Sequence, residues 1–397
     1  MKKFNRRDAI KIGSIVSLGT FVNFEKLWST TVRNANLNDK KFIFQSPTIS
    51  EYTPPNLPKL NSLKARLHWN ENPFGPSENA LNSFILQAKS GNYYSWDLLN
   101  DFIRKIATKE NVSINQVMTG PGSSDLLEKT AISIFQGAKG NVVTADPCYM
   151  SLVNVVGSMG GDWRAIKLNK NFEHDLEGMR AAIDSNTKLV YITNPNNPTA
   201  TITDSKRLLK FCSEVSEKVP VFVDEAYIEL SEKGLSNSMA ELVSQGKDII
   251  ITRTFSKIHG MAGLRMGYMI AKPERIEMIN NITRGGMGIT GPTIMAAMSS
   301  LDDTNFLKLS KKKILTNKKY TVEKLKAKGF NPMPSETNFL IFELPKEINP
   351  NKFLTEIYSN KVTVKVFNFW NENWCRVSIG SRKSMDIFFE AFDQAII

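Results

Sequence analysis

The sequence predicts an α/β fold with a large domain, built on a seven-stranded and mostly parallel sheet, and a smaller α+β domain. Between residues 67 and 295, short β-branched runs that end in turn residues alternate with longer amphipathic stretches, as strands alternate with crossover helices. After this region the order changes to long lysine-rich helical patterns followed by further strands. The seven predicted strands of the large domain span residues 116–119, 141–145, 163–168, 188–193, 219–223, 249–253 and 267–271.

The smaller domain is predicted over residues 296–397, with strands at 337–343, 362–366 and 374–379 and helices between them. Residues 29–66 are polar and rich in proline, which indicates a linker and an extended arm rather than core. We expect part of this arm to join the small domain beside the large one. A cleft between two such domains is where ligands usually bind.

Composition excludes several classes of partner. A chain of 397 residues that is 41% hydrophobic is large enough for two domains. Its formal net charge of +12 comes from basic residues spread along the chain, without zinc-finger spacing or a basic heptad helix, so nucleic acid is not the expected partner. Three scattered cysteines and three scattered histidines predict neither a disulfide framework nor a metal site.

Residues 1–28 have the order of a signal sequence, because a basic stretch precedes an uncharged run from Ile12 to Phe24. As a helix this run would span roughly 20 Å, less than the roughly 30 Å hydrocarbon layer, so no stable membrane anchor is expected. The string N-R-R-D-A-I-K at residues 5–11 resembles the twin-arginine export motif. It predicts export to the periplasm; the alternative is a frayed N-terminal helix on a cytoplasmic protein.

The segment T-F-S-K-I-H-G-M-A-G-L-R-M-G-Y, residues 254–268, directly follows a predicted strand. Lys257 has no packing reason to lie just past a buried strand. The hydroxyl groups of Thr254 and Ser256, with the guanidinium of Arg265, offer a dianion three donors among glycines that permit close backbone approach. The alternative is a surface loop with incidental basic residues.

Three other segments place polar groups where predicted strands end. Asp224, in V-P-V-F-V-D-E-A-Y, ends an apolar strand at the edge where α/β sheets bind ligands, although it could be a helix N-cap. The turn G-P-G-S-S-D at 120–125 presents backbone N–H groups and a helix N-terminus to an anion. The segment N-P-N-N-P-T-A at 194–200 follows another strand, and such clusters are commonly turns.

Arg376 lies in the apolar segment W-C-R-V-S-I-G-S-R. An unpaired guanidinium in an apolar strand is costly unless it has an anionic partner, so a ligand-binding role is favoured over packing.

Taken together over residues 66–382, these segments resemble those of fold-type-I pyridoxal 5'-phosphate (PLP) aminotransferases, and A-G-L-R-M-G-Y resembles the histidinol-phosphate aminotransferase branch. The resemblance implies that Lys257 holds PLP as a Schiff base and moves a proton during catalysis. It further implies that Asp224 pairs with the ring nitrogen, which must stay protonated for PLP to act as an electron sink.

The resemblance also assigns the remaining site residues. Tyr227 and Asn197 would contact the phenolic oxygen of PLP, and Tyr149 would stack on its ring. Arg376 would bind the substrate carboxylate, with Asn72 of N-E-N-P-F-G-P and Asn338 of S-E-T-N-F nearby. Tyr94, with Tyr93 as the close alternative, would reach the PLP phosphate of a partner subunit in a homodimer. The phosphate contacts within the subunit would be Ser123, Ser124, Thr254, Ser256 and Arg265.

The implied activity is amino transfer between an L-amino acid, or an amino-alcohol phosphate such as histidinol phosphate, and a 2-oxo acid. Decarboxylases and C–S lyases share the same PLP contacts, so they remain alternatives. A non-catalytic PLP-binding protein is a third, although residues 1–66 show no helix-turn-helix pattern. One departure from the family is Ala200, which replaces a glycine in a turn and so questions its geometry, because glycine tolerates positive φ.

Overall fold

The computed structural model describes residues 42–45, 49–55, 59–283 and 286–397. The predicted signal sequence, residues 1–28, lies outside the described residues. Within them, no helix has both the length and the apolar character needed to cross a membrane.

The strands formed by the described residues are, in chain order, β1 Phe42–Gln45, β2 Ile49–Tyr52, β3 Ala65–Arg66, β4 Val117–Gly120, β5 Asn141–Asp146, β6 Asp162–Lys167, β7 Thr187–Thr193, β8 Val221–Asp224, β9 Ile249–Thr254, β10 Gly267–Ile270, β11 Phe339–Leu344, β12 Val362–Thr363, β13 Lys365–Phe369 and β14 Glu372–Ser378.

The α-helices of the same residues are α1 Glu78–Ala88, α2 Trp96–Glu110, α3 Ser123–Phe135, α4 Ser151–Ser158, α5 Leu176–Ala181, α6 Ser205–Val215, α7 Ala240–Ser244, α8 Pro273–Ile282, α9 Gly291–Asp302, α10 Thr304–Ala327, α11 Pro350–Ser359 and α12 Arg382–Ala395.

The large sheet has seven strands in the order β4-β10-β9-β8-β7-β5-β6. Only β10 runs antiparallel to its neighbours β4 and β9, so the predicted mostly parallel sheet is confirmed. Each predicted strand occurs within two residues of its expected bounds. Strand β8 begins at Val221 rather than residue 219, because Pro220 has no N–H to donate to the ladder.

Helices cover both faces of this sheet. In strand β8, Val221 and Val223 pack with the helices of one face, whereas Phe222 packs with α3, α4 and α8 on the other. This alternation, with every residue of the strand buried, is what a central parallel strand requires. The core of the large domain therefore lies in two layers, one on each side of the sheet.

The smaller sheet has the order β1-β2-β13-β14-β11 and is antiparallel. The prediction of a single strand at residues 362–366 is wrong, because the chain forms two strands there. Strand β12 pairs with β3 in a separate two-stranded sheet, and β13 enters the five-stranded sheet. Between them the carbonyl of Val364 accepts a hydrogen bond from the Tyr358 hydroxyl at 3.1 Å, so this residue pairs with a side chain instead of a strand.

The proline-rich arm also differs from the expectation of a segment outside the core. Ile49 and Tyr52 of strand β2 are buried in the core of the small domain. Strand β2 pairs with β13, with Glu51 opposite Phe367. The arm and the C-terminal residues thus share one sheet, and the arm contributes core residues to it.

The carboxyl ends of four strands of the large sheet meet at one edge. Strand β4 ends at Gly120, which lies opposite Gly267, and Gly267 in turn lies opposite Thr254 at the end of β9. Strands β7 and β8 end at Thr193 and Asp224, which are paired neighbours. The loops that follow these ends carry the candidate site residues, so the topology collects segments that are far apart in sequence.

Candidate active site

Arg265 joins two of the predicted phosphate-binding segments. Its Nη2 donates to the carbonyl oxygen of Pro121 at 2.9 Å, and its Nη1 lies 3.4 Å from Oγ of Ser256. Gly122, with φ of 92°, makes room for this arrangement, because a methyl group there would lie 2.2 Å from Nη2 of Arg265. The guanidinium therefore lies against the turn that precedes helix α3.

Hydroxyl groups surround this position. Helix α3 begins at Ser123, and its first turn packs so closely on β10 that a methyl group on Gly267 would lie 2.6 Å from the Ser123 amide nitrogen. The hydroxyl of Thr254 lies 3.0 Å from that of Ser256, and the Ser124 hydroxyl lies 3.1 Å from that of Tyr149. Hydroxyl donors, a guanidinium and a helix N-terminus together fit the phosphate group of PLP.

Lys257 is half-buried at the carboxyl edge of the sheet. Its Nζ donates to the carbonyl oxygens of Asn70 at 3.1 Å and Trp69 at 3.3 Å, and lies 5.3 Å from the centroid of the Tyr227 ring. Burial, aided by the positive charge of Arg376, lowers the pKa of Lys257 to about 8, although Glu71 and Asp224 oppose the change. A neutral amine, the form that attacks an aldehyde, is therefore accessible near neutral pH.

Asp224 is 5% exposed. Its Oδ1 accepts hydrogen bonds from the Ala226 amide at 3.1 Å and the Thr252 hydroxyl at 3.3 Å. Burial raises the pKa of Asp224 to about 6, while these hydrogen bonds and Lys257 act in the opposite direction. The carboxylate is mainly ionised at neutral pH, and a buried carboxylate favours a cationic partner such as a protonated pyridine nitrogen.

Arg376 is buried, and two of its three nitrogens are engaged. Nη1 donates to Oδ1 of Asn197 at 2.7 Å, and Nη2 donates to the carbonyl oxygen of His68 at 2.8 Å. Its Nε is buried and has no partner among the described residues. The guanidinium carbon lies 5.3 Å and 5.4 Å from the ring centroids of Phe339 and Phe367. A positioned cation with an unused donor suits an anionic substrate group.

Tyr227 is held by a residue that the sequence analysis did not single out. The Nδ2 group of Asn70 donates to the Tyr227 hydroxyl at 3.1 Å, and the backbone of Asn70 has φ of 54°. Burial raises the pKa of Tyr227 to about 12, so its hydroxyl stays protonated at neutral pH. It can then donate to an oxygen such as the phenolic oxygen of PLP. Asn70 could have been identified from the sequence, because it is the first asparagine of the motif N-E-N-P-F-G-P.

The side chains of the two predicted substrate-binding asparagines, Asn72 and Asn338, form hydrogen bonds within the chain. Nδ2 of Asn72 donates to the carbonyl of Ile258 and to the Ser310 hydroxyl, both at 2.8 Å, and its Oδ1 accepts from the Phe74 amide. Nδ2 of Asn338 donates to the carbonyl of Asn70 at 3.0 Å. Both side chains hold the segment around residue 70 in place, and a direct substrate contact for either stays a prediction.

Tyr94 and Tyr93 are 87% and 72% exposed, and the Tyr94 ring stacks on Trp96 with 5.7 Å between centroids. Among the described residues of the single chain, neither tyrosine makes a hydrogen bond or ring contact with another candidate residue. Their predicted contact with the PLP of a partner subunit stays a prediction.

Ala200 keeps the geometry of the glycine it replaces. Its φ is 66°, and its amide donates to the carbonyl of Asn196 at 2.9 Å. The Asn196 side chain braces the turn, because its Nδ2 donates to the Thr199 hydroxyl at 2.8 Å and to the carbonyl of Pro147 at 3.0 Å. The neighbouring Asn197 is thereby positioned for Arg376 in spite of the alanine.

A buried charge network, which was not predicted from the sequence, lies behind the site. Arg253 donates through Nε to Glu225 at 3.0 Å and through Nη1 to both carboxylate oxygens of Glu110, at 2.7 and 2.8 Å. Glu225 follows Asp224, and Arg253 precedes Thr254, so the network anchors two of the strand ends. An arginine in the apolar run I-I-I-T-R-T is the same signal that identified Arg376.

Comparison with known proteins places these features in context. The family described as aminotransferase class I and II matches residues 62–392. Histidinol-phosphate aminotransferase from Moorella thermoacetica is 32% identical, over 83% of this chain and 85% of the relative. Histidinol-phosphate aminotransferase 1 from Nitrosococcus oceani is 31% identical, over 83% and 88%. Among solved structures, histidinol-phosphate aminotransferase from Sinorhizobium meliloti in complex with PLP has a TM-score of 0.77 at 24% identity, over 84% of this chain and 91% of that one.

The pKa of Lys257 predicts how PLP rebinding to the apoprotein depends on pH. Because only the neutral amine attacks the aldehyde, the rebinding rate should rise about tenfold per pH unit below about pH 8 and level off above it. Stopped-flow absorbance measures this rate. Arg376→Gln removes a charge that lowers the pKa, so its profile should shift to higher pH.

Lys318→Gln is the matched control, since Lys318 is another lysine whose pKa burial lowers to about 8, and its loss should leave the profile unchanged. A rate that does not vary between about pH 6 and 9 would contradict the role of the Lys257 amine.

Proposed function

This chain belongs to the aminotransferase class I and II family and is a PLP-dependent aminotransferase, and we propose that its amino donor carries an anionic group that pairs with Arg376. The observation that carries the proposal is the buried Nε of Arg376, which has no partner among the described residues. A carboxylate or a phosphate can pair with this donor, because the oxygen atoms of both groups accept hydrogen bonds from a guanidinium.

Bound PLP supplies an electron sink for the bond that breaks at the donor Cα. The chain supplies the other parts of the chemistry. Asp224 is buried and ionised at neutral pH, so it would stabilise the positive charge of the protonated ring nitrogen of bound PLP. The pKa of the Lys257 amine is lowered to about 8. The amine can therefore act first as a general base that takes a proton from the donor Cα, and then as a general acid that returns the proton to another atom. The Tyr227 hydroxyl, which keeps its proton at neutral pH, can donate a hydrogen bond to the phenolic oxygen of bound PLP.

Two donor classes fit these residues. The relatives from Moorella thermoacetica and Nitrosococcus oceani are named for histidinol phosphate, which supports an amino-alcohol phosphate. A free L-amino acid fits the same guanidinium through its α-carboxylate. In either case the amino group passes to a 2-oxo acid, and both substrates are small molecules.

The experiment adds histidinol phosphate and a panel of L-amino acids to the purified holoenzyme and follows cofactor absorbance and products. We expect a carbonyl product and the pyridoxamine form of the cofactor from at least one donor. Release of CO₂ or of a thiol instead would identify a decarboxylase or a C–S lyase, and bound PLP without turnover would identify a non-catalytic binding protein. Any of these results would contradict the proposal.

Substitution of Arg376 tests the anion contact. For the accepted donor, Arg376→Gln should lower kcat/KM by about a hundredfold, because the anionic group loses its buried partner. Arg376→Lys should restore little, since an ammonium group cannot make a bidentate contact. Arg382→Gln is the control: Arg382 is exposed, in the same segment, and stacked on Tyr320, so its loss should leave kcat/KM within about twofold. Equal effects of the two substitutions would contradict the assignment.

We also propose a homodimer in which Tyr94 contacts the PLP phosphate of the partner subunit. The exposure of Tyr94 in the single chain supports this, because it forms a group of exposed aromatic side chains with Tyr93 and Trp96, and contiguous exposed apolar groups mark interaction sites. Tyr94→Phe should weaken PLP binding several-fold in titrations of the apoprotein, and Tyr93→Phe should not. If the wild-type protein sedimented as a monomer while it bound PLP tightly, this arrangement would be refuted.

Finally, we propose that residues 1–28 direct export of the folded protein by a twin-arginine route, on the basis of Arg6 and Arg7 before the uncharged run. Fractionation of cells should place the mature protein in the periplasm, and the double substitution Arg6→Lys with Arg7→Lys should retain it in the cytoplasm. Recovery of the full-length wild-type chain from the cytoplasm alone would refute the proposal.

A further inference from the structure

Helix α10, Thr304–Ala327, carries a strong positive charge. It contains eight lysines and one acidic residue, Glu323, so more than half of the chain's formal net charge of +12 resides in this helix. None of these lysines is among the candidate site residues, so the site does not account for the charge.

Four of the lysines form a straight row on one side of the helix. Lys308, Lys312, Lys319 and Lys326 are spaced by four and seven residues. At about 100° per residue they fall within about 40° of one another around the helix axis, and at about 1.5 Å per residue the row is about 27 Å long. The buried residues of the helix lie on the opposite side, and they are Ser310, Ile314, Asn317, Thr321 and Leu325. This lysine row therefore faces away from the core.

The charges of the lysine row are not matched within the protein. All four residues are exposed, and none of them forms an ion pair with another described residue. Two other lysines of the helix are used by the fold, because Lys311 donates to the carbonyl of Ser231 and Lys318 donates to that of Ser335. Like charges four residues apart disfavour a helix slightly, so stability does not explain the row.

Apolar side chains accompany the lysine row. Leu315 lies within it, between Lys312 and Lys319, and is 38% exposed, and Leu309, next to Lys308, is 51% exposed. Helices that rest on membranes combine lysines, which pair with anionic headgroups, with apolar side chains that enter the boundary between headgroups and acyl chains. The outer side of α10 has both kinds of side chain.

A nucleic acid would also neutralise lysines, but it is usually bound through arginine and exposed aromatic side chains as well. Helix α10 contains no arginine. Its one tyrosine, Tyr320, is covered by Arg382, whose guanidinium carbon lies 3.4 Å from the ring centroid. A flat anionic surface therefore fits the lysine row better than a nucleic acid does.

We propose that the lysine row is a docking surface for anionic phospholipid headgroups, by which the enzyme attaches reversibly to the surface of a membrane. The helix lies along the bilayer, with its four ammonium groups on headgroup phosphates and Leu315 between them. The row points away from the candidate site, because Ser310, whose hydroxyl accepts from Asn72, lies on the opposite side of the helix. The inference does not depend on which amino donor the enzyme uses.

The test measures sedimentation of the full-length holoenzyme with vesicles in about 0.1 M salt. The wild type should bind vesicles of equal parts phosphatidylglycerol and phosphatidylcholine, and it should not bind phosphatidylcholine alone. Each lysine near an anionic surface strengthens binding by roughly fivefold. The quadruple variant Lys308→Gln with Lys312→Gln, Lys319→Gln and Lys326→Gln should therefore bind at least about a hundredfold more weakly. Every protein compared retains residues 1–28, so the differences report the helix.

A matched control changes four exposed lysines of the large domain to glutamine instead, namely Lys89, Lys139, Lys206 and Lys218. It lowers the net charge equally and should keep vesicle binding within about threefold of the wild type. The smaller change Lys312→Glu with Lys319→Glu should weaken binding by at least about tenfold, so the result does not depend on one variant. Retained cofactor absorbance shows that each variant is folded.

Equal weakening by the quadruple variant and the control would show that only the net charge matters, and it would overturn the inference. A wild-type protein that does not bind the anionic vesicles would overturn it as well. Tighter binding to a DNA duplex than to the vesicles, at the same phosphate concentration, would assign the lysine row to nucleic acid instead. Amino transfer would stand in each of these cases.

Discussion

Burial of charged groups at the carboxyl edge of the large sheet is the constraint on which the site depends. Removal from water raises the pKa of Asp224 to about 6 and lowers that of Lys257 to about 8. The two groups therefore become easier to neutralise, and each is more stable when a ligand brings the opposite charge or takes the amine. A cofactor with a cationic ring nitrogen, an aldehyde and a phosphate satisfies these groups and the cradle around Arg265 together.

The parallel sheet supports this arrangement because neighbouring strands end side by side. Asp224 at the end of β8 lies opposite Thr252 of β9, whose hydroxyl donates to its carboxylate. Glu225, the residue that follows β8, accepts a hydrogen bond from Arg253 in the charge network behind the site. Successive residues of an extended chain face opposite sides, so one of these two adjacent acids lies among the candidate site residues and the other in the charge network.

The large sheet and the order of its motifs could be predicted because central parallel strands are short apolar runs, and the residues after them follow from the rule that ligands bind at strand ends. Strand β2 could not be predicted, since its four residues lie in a proline-rich arm, include a buried acid and show no clear alternation of polar and apolar side chains. The partners of Asn72 were equally hidden, because Ile258 and Ser310 lie 186 and 238 residues away in sequence. Local pattern identifies elements, whereas such long-range contacts depend on the packed tertiary structure.

Asn70 shows why these hidden contacts matter for function. Its amide donates to the Ser378 hydroxyl of the small sheet at 2.8 Å, while its carbonyl accepts from Lys257 and its side chain donates to Tyr227. Two residues earlier, the carbonyl of His68 accepts from Arg376. The segment from 68 to 70 thus connects the guanidinium of Arg376 on the small sheet to the Lys257 amine at the edge of the large one. We therefore expect a substitution at Arg376 to affect the position of the Lys257 amine, because both side chains donate to carbonyl groups of residues 68–70.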